Sequence, residues 1–70
     1  MIVFSVKDMT CNHCSGAITR AVLLLDPAAT VLIDLAAQRV EIHPAAADAV
    51  ALGAAIAEAG YTPALMSAGA

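Results

Sequence analysis

The chain lacks tryptophan and carries one phenylalanine and one tyrosine, so aliphatic side chains must build any core. Basic residues are nearly absent too. Lys7, Arg20 and Arg39 stand singly against six acidic residues, for a formal net charge of −3. With no cluster of cations to neutralise phosphates, nucleic-acid binding is excluded. No long apolar run occurs: the longest stretch without Asp, Glu, Lys or Arg is the last twelve residues. A membrane-spanning helix needs about 18. Met1 leads at once into an alternating run without a basic and then apolar leader, so the expected location is the cytoplasm. Cysteine is scarce as well. Two are too few for a disulfide framework, and a reducing cytosol keeps them as thiols. Seventy residues leave no room for a second domain, and the whole chain, 1–70, is read as one. Eighteen alanines inflate the hydrophobic total while adding little apolar area.

What is present has a clear order. Residues 2–7 alternate, with Ile2, Phe4 and Val6 on one face, as a half-buried strand does. A small polar loop, residues 8–14, follows. From Ser15, a candidate cap, to Leu25 the apolar residues Ile18, Ala21, Val22 and Leu25 form a helical stripe. Asp26-Pro27 ends it, because the residue before proline is pushed out of the α region. Residues 30–35 and 39–43 read as a hairpin, although its turn lacks the Asn-Gly or Asp-Gly signal. A second helix is predicted over 46–59, with Val50, Gly53 or Ala54, and Ala57 on one stripe and Leu52, Ile56 and Ala59 beside it. Gly60 stands where a left-handed residue closes a helix. A short strand over 64–66 and a fraying tail from Ser67 complete the chain. The order β-α-β-β-α-β implies an α+β, ferredoxin-like sandwich: a four-stranded antiparallel sheet with two helices on one face.

Cys11 and Cys14 form a single C-x-x-C between the first strand and the first helix. That spacing lets both sulfurs turn to one point. A helix N-terminus favours the thiolate, which binds metal and attacks disulfides. Two soft thiolates without a third fixed ligand suit Cu(I). A structural zinc site wants four ligands, and His43 lacks the paired spacing that would supply one. Zinc sites and thiol oxidoreductases also use C-x-x-C, so the pair alone leaves both readings open.

The longer string Met9-Thr10-Cys11-Asn12-His13-Cys14 resembles the M-x-C-x-x-C pattern of the heavy-metal-associated domain family, and within it the CopZ-type bacterial copper chaperones. Phe4 and Val6 before the loop, Val31 to Leu35, and Ile56 to Tyr61 extend the resemblance along nearly the whole chain. It implies no enzymatic turnover. It implies Cu(I) held by Cys11 and Cys14 and handed to the metal-binding domain of a copper-transporting P-type ATPase or to a copper-responsive regulator. A copper-bridged homodimer is a further expectation. Asp8 departs from the family, which usually has Gly before the Met.

By the same resemblance Met9 points inward and pins the loop; the competing reading is a third sulfur ligand. Tyr61 shields the metal loop or bonds near a cysteine sulfur, against the simpler reading of a solvent-facing loop tyrosine. His13 is expected to point away from the metal, with a ligand role only in dimers or during transfer. Thr10 and Asn12 are turn-favouring loop residues, and His43 is a strand-end surface residue. Relatives often carry lysines around the site; their scarcity here implies an apolar or basic partner surface. Three rivals remain: the same fold holding Zn(II), Cd(II) or Hg(II), a small thiol-disulfide oxidoreductase, and a sensing domain detached from a transporter. The flanks of the C-x-x-C argue against the second. The first strand beginning beside Met1 favours a stand-alone chaperone over the third.

Overall fold

The computed structural model describes residues 1–67. Its elements are β1 (Ile2–Val6), α1 (Asn12–Leu25), β2 (Thr30–Asp34), β3 (Arg39–His43), α2 (Ala49–Glu58) and β4 (Pro63–Ser67). The strands form one antiparallel sheet in the order β2-β3-β1-β4. This is the ferredoxin-like arrangement that the alternating runs and two helical segments implied.

The core follows the strand alternation. Ile2, Phe4 and Val6 of β1 face inward beside Val40 and Ile42 of β3, and Ile18 and Val22 of α1 meet Leu52 and Ile56 of α2 above them. β1 lies between β3 and β4, which explains why it is buried along nearly its whole length. The β2–β3 turn rests on Asp34, whose carboxylate accepts the Ala37 amide at 3.1 Å, and on Gln38, which takes a left-handed φ of 53°.

Three local expectations are corrected. Helix α1 starts at Asn12, three residues ahead of Ser15, so Cys14 lies inside its first turn. Ser15 does not cap; its hydroxyl donates to the Asn12 carbonyl at 2.8 Å. Helix α2 starts at Ala49 behind Asp48, whose side chain accepts the Ala51 amide, and its Val50 stripe faces solvent. The fully buried residues are Leu52 and Ile56, with Ala49 packed beside the core and Gly53 against the Phe4 ring, and an alanine-rich helix offers little contrast between faces. Ser67 pairs with Val3 as the end of β4 instead of fraying, and the rest of the expected frayed tail, 68–70, lies outside the described residues. Gly60 has φ 100°, as a helix-closing glycine should.

Asp26 does more than stop a helix. It is buried, at 2% exposure. One of its carboxylate oxygens accepts the amides of Ala45, Ala46 and Ala47 at 2.8, 2.9 and 3.0 Å. Successive amides around one oxygen make an anion-binding concavity. The Ala46 amide first, then Ala47, hold the Asp26 carboxyl below the ordinary aspartate value. A carboxylate whose folded pKa is depressed adds stability that is fully present above its unfolded value near ~3.9 and is lost as pH falls through the folded value. Asp26→Ala is therefore expected to lower Tm by roughly 5–10 °C at neutral pH. The gap from the parent should begin to narrow in thermal melts below about pH 3.9 and go on narrowing as pH falls through the lower folded value.

Candidate metal centre

The site is set by what happens between β1 and α1. Met9 donates its amide to the Val6 carbonyl at 3.1 Å and sends its side chain into the core with no exposed surface. The chain then rises to the surface. Cys11 is the N-cap of α1, with an extended backbone and no side-chain capping bond. Thr10, Cys11 and His13 are exposed and Cys14 is half-buried. A buried Met9 two residues before an exposed Cys11 anchors the loop while leaving its thiols at the surface.

Both cysteines are free thiols, their sulfurs 3.2 Å apart. That distance is a hydrogen bond between sulfurs, well beyond the ~2.05 Å of a disulfide. The Cys14 sulfur collects donors. The Tyr61 hydroxyl, the Thr10 amide and Cys11 all favour its charged form, with burial opposing, and together they bring the thiol down to about 7. Tyr61 in turn is held above the ordinary tyrosine range, first by its bond to Cys14. The alkylation rate of the metal-free chain, read at Cys14 by peptide mass spectrometry, is accordingly expected to show a midpoint near pH 7. In Tyr61→Phe, which lacks the strongest of these donors, the midpoint should move up toward the ordinary thiol value.

The remaining candidates fall on either side. Tyr61 reaches the thiols from the segment after α2. His13 sits on the first turn of α1, exposed. His43 is at the far end of β3, paired with Glu41 at 3.0 Å. Among the described residues, no group of three or more His, Cys, Asp and Glu could hold a metal ion, so neither histidine joins the cysteines. Two contacts that sequence reasoning missed hold the root of the loop. The Gln38 side chain donates to the Lys7 carbonyl at 2.7 Å, and the Asp8 carboxylate accepts the Thr62 amide at 3.1 Å. They join residues 31 and 54 positions apart, which no local pattern announces.

A family model for the heavy-metal-associated domain matches residues 3–62. Among solved structures, the copper chaperone Atx1 from Synechocystis PCC6803 is 36% identical with a TM-score of 0.87, covering 91% of this chain and 100% of that one. A gold binding protein is 32% identical with a TM-score of 0.89, covering 94% and 100%. The yeast copper transporter domain Ccc2a, 17% identical over 97% and 96% with a TM-score of 0.87, shares the fold. A search against curated proteins returned no match. With the family model spanning β1 through the Tyr61 segment, and a C-x-x-C at the start of α1, the chain belongs to the heavy-metal-associated domain family.

Proposed function

We propose that this protein is a cytoplasmic copper chaperone in which Cys11 and Cys14 hold one Cu(I) and pass it on by ligand exchange. The observation that carries this is the pair of free thiols, Cys11 exposed and Cys14 half-buried, 3.2 Å apart at the start of α1. Soft thiolates in a low-coordinate set select Cu(I) over the harder divalent ions, for which zinc prefers four ligands. The similarity to a copper chaperone and to a gold binding protein supports a soft, thiol-seeking cargo.

The chemistry follows from the donor count. Binding displaces the proton shared between the sulfurs, so loading releases protons. An exposed two-coordinate ion can accept a third thiolate from a partner's C-x-x-C. Releasing Cys11 or Cys14 next then moves the ion without setting it free. No covalent bond of a substrate is made or broken, so this is carriage without turnover. The recipient is a C-x-x-C domain of a copper-transporting P-type ATPase or of a copper-responsive regulator.

Anaerobic titration of the protein with Cu(I) against a chromogenic chelator tests this reading. One tightly held Cu(I) per chain, resistant to an equal concentration of Zn(II), is expected. Displacement of copper by zinc would overturn it in favour of a divalent cargo.

A further inference from the structure

We propose that the outer edge of β2 is a joint for a second copy of this chain: two β2 strands pair antiparallel about Leu32 and merge the two four-stranded sheets into one. The thiol pair takes no part, so this interface goes beyond the proposed function and stands apart from it.

The sheet order leaves β2 and β4 as its two edges, and the two are finished differently. An open strand edge presents unpaired amides and carbonyls, which proteins blunt with proline, charge or a bulge. β4 carries such devices: Pro63 opens it, and its register with β1 shifts between Val3 and Phe4. β2 has none over Thr30–Ile33, its one charge being Asp34 at the last position. Among the described residues no backbone bond closes its outer edge.

The core is also left open on this side. Val31 and Ile33 face inward as Val40 and Ile42 of β3 do, yet they are half-buried where the β3 pair has no exposed surface. They line a groove with Thr19, Arg20, Leu23 and Leu24 of α1. On the opposite face of the sheet Leu32 is 53% exposed. The occupant that fits is an extended strand, which brings backbone partners to the edge and apolar side chains to both faces.

β2 itself meets that description. With Leu32 on a two-fold axis, Leu32 meets the second copy's Leu32, Val31 meets its Ile33 and Thr30 meets its Asp34, so the whole strand pairs. Directly opposed residues of an antiparallel pair share a face, so apolar meets apolar on both. Charge agrees with this register. Asp34 comes opposite a hydroxyl, and the two Asp34 carboxylates stand about 14 Å apart, four residues at ~3.4 Å. That exceeds the screening length of about 10 Å at 0.1 M salt. Although the chain carries a net charge of −3, no acidic residue lines the groove among the described residues. Arg20, its one charge, is exposed and stays in water at the rim.

The same symmetry keeps the thiols apart. β1 and β2 both run antiparallel to β3, so the loop after β1 lies at the Asp34 end of β2. A two-fold axis at Leu32 sends the two thiol pairs to opposite ends of the joint, where both remain open. Association through β2 therefore needs no copper. One short strand and one groove make a small interface, of the weak and transient class.

The test is sedimentation equilibrium of the metal-free, reduced chain from about 0.02 to 2 mM, with amide resonances recorded over the same range. A monomer–dimer equilibrium with Kd on the order of 10⁻⁴ M is expected, with concentration-dependent shifts at residues 30–34. Leu32→Lys and Leu32→Glu each set like charges face to face on the axis and should weaken association about tenfold. Circular dichroism should report an unchanged fold, since Leu32 lies outside the core. An equimolar mixture of the two variants should re-form the dimer to within about threefold of the parent's affinity. Loading with Cu(I) should change the parent's Kd by less than about twofold. A parent that stays monomeric at about 2 mM overturns the proposal and leaves the edge to a strand of another protein. A dimer untouched by the Leu32 variants, or variants that mixing does not rescue, overturns it too. So does association that requires Cu(I), which places the contact at the thiols. Should Leu32→Glu fail to fold beside Glu41, the loss of association in Leu32→Lys decides alone.

Discussion

Serine at either Cys11 or Cys14 is expected to lower Cu(I) affinity by at least ~10²-fold, and the double variant should hold no copper against a chromogenic chelator. The magnitude comes from dividing the roughly 10–16 kcal/mol of a four-ligand metal site among its donors, about 3 kcal/mol each. A hydroxyl cannot replace a thiolate here, because it neither ionises near neutral pH nor shares the softness of sulfur. Folding should be nearly indifferent. Cys11 is exposed and Cys14 half-buried, and neither belongs to the fully buried core. Stability of the metal-free single variants, read by urea unfolding, is expected within about 0.5 kcal/mol of the parent. A Cys11→Ser/Cys14→Ser chain that still held copper tightly would sink the proposed function.

Met9 gives the opposite pattern and the other large effect. Its side chain has no exposed surface and packs with Val6, Ile18 and the rest of the core. Met9→Ala is expected to cost about 2–5 kcal/mol, as deletion of a buried long side chain does. A 70-residue domain has in total only about 4–10 kcal/mol, so this variant should melt at least about 8 °C below the parent in thermal scans followed by circular dichroism. Met9→Leu conserves volume and should lose less than about 1.5 kcal/mol. The second variant also separates packing from ligation. If the thioether served the metal, Met9→Leu would lose affinity as the cysteine variants do. The buried placement leads us to expect copper affinity within about threefold of the parent, by the same chelator competition.

The contrast between Cys11 and Met9 bears on what could be read before any coordinates. The alternation Ile2, Phe4, Val6 and the pair Val40, Ile42 were legible because a strand with one buried face has a two-residue period. That period carried the sheet and its element order. The start of α1 was not legible, since Cys11 caps it without a side-chain bond and so leaves no capping signature; Ser15 drew the boundary instead. In α2 the stripe was misjudged at Val50 because alanines surround it on every side. The two thiols were legible from spacing, and the string around them carried the family. Asp26, Asp8 and Gln38 went unread as structural ties, each for the same reason. A hydrogen bond closed across 19 to 54 residues depends on the finished topology, and a lone polar residue in a loop gives no sign of it.

The antiparallel course of the two helices has an electrical consequence at both ends of the molecule. β1 and β3 run antiparallel, each feeding a helix. The end of α1 therefore lies beside the approach to α2, where Asp26 meets the amides of residues 45–47. At the other end, the Tyr61 segment that follows α2 lies beside the first turn of α1 and Cys14. The start of α2 thus carries a carboxylate cap from Asp48, with Asp26 on the segment just ahead of it, whereas α1 has no side-chain cap and no acidic residue in its first turn, which holds the thiol pair. A monovalent ion on two thiolates leaves one net negative charge at the start of α1, where the helix dipole favours an anion by about 0.3–1 kcal/mol. On the proposed function, a divalent ion on the same two sulfurs would be neutral and gain nothing from the dipole, so the placement of the pair on α1 would discriminate by cargo charge as well as by softness.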